Sequence, residues 1–522
     1  MSKFIFLIIC VCSGILLHAQ NISQQVTGRV EDEAVRSPLQ NATLILRSNS
    51  ESVVTITDSL GFFQFVNVTP GRYLLTTSFT GYQPARQEIL VISARNTIVN
   101  ITLKEWPSVL EEVEISARGN SLETGEQSIT IEKTLRIPAN FFDPVRAVTS
   151  YPGVVASSDQ NNAIIVRGNS PANLLWRING LDVVNPNHLS NAGTFTDKPA
   201  TFGGGVNIIS SQLLDRTDFY AGSMPSRYGN ALSGVVDMNL REGSKKENHY
   251  TLQASLIGLD VAAEGPLGKD QNTSFLVNYR YSTVGLLSAM GVKFGDEDIN
   301  FQDLTFSIDS RFSKERSLTV FGFFGASKNI FDHKETTEWE IDKDRYDINY
   351  DSKNFGTGVT FSQTLKQVNI SSGVAFSGND QKRNQHASPD ILTGEPNVVY
   401  EDGYHAKKFL VSAFGRVIAR VNSTQLESGI YVNYLKDKLD AKSQVGIDPT
   451  AQTLGSVEGV LLQPYAQWRI FLSEKWVAQT AMRYVYYSYN ESGLLEPRVS
   501  LEYFPSAKNS LKFSYNLVSQ LQ

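Results

Sequence analysis

The chain has 522 residues, a net charge of −6, 19% charged and 10% aromatic residues. That length calls for several domains. The acidic balance, with no basic stripe, excludes nucleic acid as a partner, because phosphates need lysines and arginines to neutralise them.

A signal peptide is expected at 1–19. Lys3 is a minimal charged start, Phe4 to Leu17 is apolar, and Leu17-His18-Ala19 offers a small residue for cleavage after Ala19. Leu7-Ile8-Ile9-Cys10 is a poor lipoprotein box, and the apolar run is short for a spanning helix. Cys10 and Cys12 both lie in this segment, so disulfides and thiol chemistry are not expected downstream. No later run approaches the roughly 18 apolar residues of a membrane helix. The expected destinations are secretion, the periplasm, or insertion as a β-barrel.

Residues 22–103 read as a small β-sandwich of short strands punctuated by turns. Val26 to Val30 opens a strand, Ala42 to Leu46 alternates, Thr57 to Gly61 turns into Phe62-Phe63-Gln64-Phe65, and Pro70-Gly71 turns into Arg72 to Leu75. The series Gly28, Asp58, Gly61, Phe65, Pro70-Gly71, Tyr73 and Gly81-Tyr82 resembles the carboxypeptidase-regulatory-like domain. That resemblance implies a transthyretin-like fold and no peptidase activity.

A linker at 104–118 comes next. In it Leu110, Glu111, Glu112, Val113, Glu114 and Ile115 alternate acidic and apolar residues. An extended peptide of this kind can add a strand to an exposed sheet edge, with main-chain hydrogen bonds supplying affinity.

Residues 119–243 form an α+β domain in this reading. A short helix is expected over Phe142 to Val148, with Asp143 as N-cap and Pro144 at its first position. Asn179-Gly180 between apolar runs is a hairpin signal, because a type I′ turn needs two residues at positive φ. Arg167 and Gly168 lie in Val166-Arg167-Gly168, and Tyr228, Gly229 and Gly234 lie in Arg227-Tyr228-Gly229-Asn230-Ala231-Leu232-Ser233-Gly234. Arg167 is expected to be buried and paired with a carboxylate, since a buried guanidinium must be paired. Asn185, Asn187, His188 and Asn191 are turn formers with hydrogen-bonding side chains. They are expected to form a loop that contacts substrate.

Residues 246–522 alternate. Val368, Ile370, Val374 and Phe376 share one face, with Asn369, Ser371, Gly373 and Ser377 on the other. Leu426, Ile430 and Tyr434 repeat the pattern, as do Leu511, Phe513 and Tyr515. One apolar and one polar face, many times over, is the pattern of an antiparallel transmembrane β-barrel, although a half-buried soluble sheet has the same period. Asp332–Asp347, Gly378–His405 and Lys436–Gly455 are expected as external loops, and Gly265 to Gly268 as a turn at the other end.

The order Val166-Arg167-Gly168, Arg177 to Val183 and Arg227 to Asp237 resembles the plug domain of TonB-dependent outer-membrane receptors. The family often has Asp-Gly where this chain has Asn179-Gly180. The resemblance implies that 119–243 is a plug, that Leu110 to Ile115 is a TonB box, and that the location is the outer membrane of a Gram-negative bacterium. It implies the inner-membrane TonB energy-coupling complex and outer-membrane lipid as partners, and in this branch a surface lipoprotein. The implied function is uptake of a scarce or bulky solute: a siderophore, cobalamin, oligosaccharide or peptide. A non-transporting surface receptor or adhesin, or a signalling transducer, is the alternative.

About 12 barrel strands are legible, give or take two. Twelve tilted strands enclose a diameter of about 26 Å and 22 strands about 47 Å, whereas a plug of this size is about 36 Å across. A 22-stranded barrel is therefore expected, with about ten strands beyond the C-terminal end of the chain.

No enzyme, metal site or cofactor is expected. The histidines at 188, 249, 333, 386 and 405 have no zinc-site spacing, and no Gly-x-Ser-x-Gly elbow occurs. Gly356-Thr357-Gly358 lacks a third glycine, and the acidic run Asp296-Glu297-Asp298 reads as solvated rather than as a calcium site.

Overall fold

A computed structural model describes residues 23–48, 51–93, 96–105, 126–137, 143–156, 162–189, 204–254, 258–269, 271–283, 297–387, 399–421, 424–446, 451–473, 475–506 and 509–521. The expected signal peptide, the box at Leu110 to Ile115, Phe142, Asn191 and Asp296 lie outside the described residues. The chain divides into two compact units, one holding the strands of the first 101 residues and the other most of the remaining chain.

The first unit is a sandwich. A sheet of Phe62–Val68, Gln24–Asp32 and Thr97–Leu103 accompanies one of Ser52–Ile56, Thr43–Arg47, Gly71–Ser78 and Ala85–Val91. Alternation sets the core: Phe63 and Phe65 are buried where Phe62 and Gln64 are exposed, and Leu44 and Leu46 are buried on the other sheet. The sequence signals have local causes. Asp58 Oδ1 accepts from the backbone N–H groups of Leu60 (2.7 Å) and Phe62 (2.9 Å), which shapes the turn before the aromatic strand. At Gly28 a Cβ would lie 1.8 Å from the Val99 carbonyl oxygen, so any side chain would push two strands apart.

The second unit contains a five-stranded mixed sheet, ordered Leu181–Val183, Leu174–Ile178, Gly234–Leu240, Leu214–Tyr220 and Glu126–Thr130. Asn179 (φ 49°) and Gly180 (φ 80°) turn the hairpin, and Ile178 pairs with Leu181 across it. The helix expected over 142–148 is instead a 3-10 turn at Arg146–Ser150. Asp143 does cap the chain there, accepting from the N–H of Val145 at 2.8 Å. Its other oxygen accepts from Asn162 Nδ2 and the Asn207 N–H, both at 2.8 Å, so the carboxylate ties three segments together rather than starting an α-helix.

From His249 onward, 13 strands pair antiparallel in chain order into one sheet. Three of them, Val399–Val421, Thr424–Gly446 and Ala451–Ser473, have 23 residues each. A tilted strand crosses a bilayer in about 9–11 residues. Each of these strands therefore continues well past a bilayer, and most of the expected loops at Gly378–His405 and Lys436–Gly455 are strand. Polarity misled there, because those residues are polar and yet keep strand pairing and alternation.

Which face is buried settles what alternation left open. Ile370 and Phe376 are exposed, while Asn369, Ser371 and Ser377 are buried. Leu426, Ile430, Trp468 and Met482 are exposed, while Asn433, Gln463 and Arg483 are buried. A water-soluble sheet does the reverse. An apolar exterior around a polar interior is how a barrel meets lipid. Aromatic rings of the sheet lie over glycines directly opposite: Phe323 over Gly356, Phe321 over Gly358 and Tyr465 over Gly429.

Candidate functional site

The site is the interface between the mixed sheet and the inward face of the large sheet. Its centre is Arg177, 1% exposed, on Leu174–Ile178. Register places it between carboxylates. Asp182 is its antiparallel partner across the Asn179-Gly180 turn, and Asp237 is its parallel partner on Gly234–Leu240. Arg177 Nε donates to Asp182 Oδ1 at 2.5 Å. The guanidinium lies 4.1 Å from the Tyr431 ring centroid and 4.7 Å from that of Tyr228, and Nη1 donates to the Tyr431 hydroxyl at 3.1 Å. Asn433 Nδ2 donates to Asp182 Oδ2 at 2.7 Å, and the Asp182 N–H donates to Ser412 Oγ at 3.2 Å. Tyr431, Asn433 and Ser412 belong to the large sheet, so hydrogen bonds to one ion pair of the mixed sheet join the two sheets.

The electrostatics follow from burial. Burial alone would pull the Arg177 pKa down, but Asp182, Tyr431, Tyr228 and Asp237 outweigh it and hold the pKa above its ordinary value. Burial raises the Asp237 pKa, Arg177 opposes that rise, and Asp218, its partner on the next strand, adds to it. Burial also raises the pKa of Tyr228, whose hydroxyl donates to Asp237 Oδ2 at 2.9 Å.

Arg167 is not the buried arginine. It is exposed, with φ 50°, and Gly168 has φ 82°, so the two residues form a tight turn closed by a bridge between Val166 and Asn169. No carboxylate pairs with Arg167 among the described residues. A residue at the tip of a turn projects away from the sheet, whereas Arg177 sits mid-strand between two partners. The Arg167 guanidinium instead covers Gly222, where a Cβ would lie 2.7 Å from Nη1.

The segment at 185–189 is also not an open loop. Asn187 and His188 are buried and Asn185 is partly so. His188 Nε2 lies 2.9 Å from Asp303 Oδ2, and its ring packs 4.7 Å from Phe301. Arg280 donates to the same Asp303 oxygen from Nε (2.9 Å) and Nη2 (2.6 Å). Burial pushes the His188 pKa down despite Asp303. Asn354 Nδ2 donates to the Asn187 carbonyl at 2.7 Å, and Asn187 Oδ1 accepts from Asn207 Nδ2 at 3.1 Å. The hydrogen-bonding groups that made this segment a binding candidate are used to seat it against the wall.

The Tyr228-Gly229 segment is held likewise. Arg483 Nη1 donates to the Ser226 carbonyl at 2.7 Å and Nη2 to Gln463 Oε1 at 2.5 Å. Arg483 lies so close over Gly229 that a Cβ there would fall 2.3 Å from Nε. Gly234 opens its strand where a Cβ would lie 2.5 Å from the Tyr220 carbonyl oxygen. Arg498 donates to the Pro225 carbonyl at 2.7 Å and to Glu496 at 3.0 Å.

The wall residues Tyr431, Asn433, Asp303, Arg280, Arg483 and Arg498 were not singled out in the sequence. One signal was available: each sits at inward parity in an alternating strand. No metal-binding cluster occurs among the described residues. Glu297 is engaged structurally, accepting from Asn329 Nδ2 at 2.7 Å and pairing with Lys343.

Comparison with known proteins accords with this geometry. Residues 25–104 match the carboxypeptidase regulatory-like domain. No curated protein matches the chain. Among solved structures, the ferric enterobactin receptor PfeA of Pseudomonas aeruginosa aligns at 17% identity and TM-score 0.55, over 77% of this chain and 64% of that one. The siderophore receptor PirA of Acinetobacter baumannii aligns at 16% identity and TM-score 0.52, over 76% and 61%. The outer membrane transporter YddB of Escherichia coli aligns at 13% identity and TM-score 0.54, over 75% and 60%. The chain thus spans less than two thirds of the length of these structures. In fold the chain resembles these receptors.

Proposed function

We propose that the protein is an outer-membrane receptor that takes up a scarce or bulky solute, with the mixed sheet acting as a plug. The observation that carries this reading is the inverted sheet. Its apolar residues face outward, and inward polar residues such as Tyr431 and Asn433 hydrogen-bond to the Arg177–Asp182 pair of another domain. Main-chain pairing alone would hold a barrel together. These wall hydrogen bonds seat the plug beside apolar contacts from Phe321, Phe323 and Phe414, and hydrogen bonds of this kind can be broken and re-formed.

The solute class is a chelated metal or another ligand too large for an open pore, in keeping with the ferric enterobactin and siderophore receptors whose fold it shares. The segment Leu110 to Ile115, just ahead of the plug, is the proposed coupling peptide. Energy from the TonB complex would reach the plug through it by strand addition. The protein is expected in the outer-membrane fraction, migrating differently before and after boiling as closed barrels do; recovery from soluble periplasm refutes the reading. In Val113→Pro, uptake should be lost while surface binding of the solute remains, since proline removes a main-chain donor. Undiminished uptake at normal expression would exclude this segment as the coupling peptide.

A further inference from the structure

The sandwich leaves one strand edge open. Ser52–Ile56 lies at the end of its four-stranded sheet, with Thr43–Arg47 on one side only. The Ser48 N–H donates to the Glu51 carbonyl at 2.8 Å, and the Thr57 N–H donates to the Ala42 carbonyl at 3.0 Å. Main-chain groups of an antiparallel strand alternate in direction. Val53 and Thr55 therefore turn theirs toward Thr43–Arg47, as Glu51 and Thr57 do, and Ser52, Val54 and Ile56 turn theirs outward. The strand carries no charge, and Val54 and Ile56 are each 59% exposed on the sheet's outer face, beside Ile45. Folded proteins guard such edges with charges, prolines or bulges. The opposite edge of the same sheet, Ala85–Val91, carries Arg86 and Glu88. The edge strand Phe62–Val68 of the other sheet is broken by a register shift beside Asn67, at φ 58°. Ser52–Ile56 has neither guard.

We infer that this edge pairs with the same edge of a second copy of the chain. Outward main-chain donors and acceptors at every second residue call for an extended strand. A charged strand would desolvate its charges against Val54 and Ile56. The strand that fits is apolar and neutral, as Ser52–Ile56 itself is. An antiparallel pair with its two-fold axis at Val54 uses all three outward residues, because Val54 then lies opposite Val54 of the second copy and Ser52 opposite Ile56. Glu51, the nearest carboxylate to that axis, faces Thr57 of the second copy, so no like charges meet. The pairing joins two four-stranded sheets into one and brings their exposed apolar residues side by side. A five-residue edge covers far less than the roughly 800 Å² per partner of a stable complex. The association is accordingly weak and depends on concentration.

The test uses the full-length protein in neutral detergent. Cys10 and Cys12 fall in the expected signal peptide, so Val54→Cys introduces the one thiol of the processed chain. Residues directly opposite in a strand pair are close enough for a disulfide. Under mild oxidation Val54→Cys should form a linked dimer about tenfold faster than Gln64→Cys, which is exposed on the neighbouring strand. In concentration-dependent sedimentation, Val54→Lys should weaken self-association about fivefold by setting like charges opposite each other, and Val54→Thr should leave it as in the wild type. Should Val54→Lys disturb the sandwich, seen as faster proteolysis within residues 22–103, Ile56→Pro carries the test. It removes an outward donor that an edge strand can spare, and a loss of about threefold is expected. Equal linking rates at positions 54 and 64 overturn the inference, as does unchanged association in a folded variant. The same oxidation is run in intact cells. A position-54 adduct there whose mass is not twice that of the chain assigns the edge to a strand of another protein and overturns the second copy as its occupant.

Discussion

In the sandwich, the strand Phe62–Val68 buries Phe63 and Phe65 and exposes Gln64. In the large sheet, the strand Val368–Ala387 exposes Ile370 and Phe376 and buries Asn369, Ser371 and Ser377. Both obey the same period of two and bury opposite sides. In water, removal of apolar area, at about 25 cal/mol per Å², decides which face turns inward. Against lipid that term vanishes, and the need to satisfy polar groups away from hydrocarbon decides instead. The interior of the large sheet accordingly adds ion pairs and hydrogen bonds to apolar packing, where the sandwich relies on apolar packing.

The sharpest way to break the comparison is to remove the central group of each interior. Arg177→Leu leaves Asp182 and Asp237 buried without their cation and should cost about 3–5 kcal/mol of plug seating. Limited proteolysis in detergent should then cut the plug while the large sheet stays intact; an unchanged digestion pattern would mean the ion pair does not hold it. Phe65→Ala should cost the sandwich about 3–5 kcal/mol through its cavity. Chemical unfolding should register this as a sandwich transition moved to lower denaturant with the second unit unaffected.

The outward faces separate next. Phe376→Lys should cost about 2–4 kcal/mol for refolding into bilayers, where the residue meets lipid. Gln64→Lys on the sandwich surface should change stability by less than about 0.5 kcal/mol. If Phe376→Lys refolds as well as the wild type, that face does not contact hydrocarbon.

A smaller effect is expected at Gly356, where a Cβ would lie 2.3 Å from the Phe323 ring. Gly356→Val should cost about 1–3 kcal/mol by overpacking, read as a lower melting temperature, and Phe323→Ala in the same chain should recover part of it. Absence of any recovery would show that the ring is not the obstacle.

The smallest effect is that of pH on His188. Its pKa in the folded protein lies below the ordinary value of about 6.5, so the unfolded chain binds more protons between the two. The stability contribution is complete above about pH 6.5 and is lost as pH falls toward the folded pKa. Plug seating should weaken over that interval, and in His188→Gln the slope should flatten. The same slope in both proteins would assign it to other groups.

Much of the fold was legible because its signals are local. Asn179-Gly180 turns where two residues can take positive φ, and Asp58 shapes its turn through its own neighbours. Strand alternation from residue 246 onward was legible for the same reason, and the 13 strands found lie within the expected range. The errors cluster where the partner is remote. Arg167 and Arg177 both sit in short motifs ten residues apart, and nothing within either motif says which one is buried. The segment at 185–189 carries groups equally suited to a ligand or a wall.

From the sequence alone came the period, the turns at Asp58 and Asn179-Gly180, and the two faces of the strands around Ile370, Ile430 and Phe513. These depend on dihedral preferences and on side chains a few residues apart. Only the tertiary structure decided which parity faces the interior and which arginine is enclosed. Arg177 meets Tyr431 across 254 residues and His188 meets Asp303 across 115. Such contacts are set by strand register summed over the whole sheet, and the electrostatic cost of a buried charge falls due only once that register brings its partner into place.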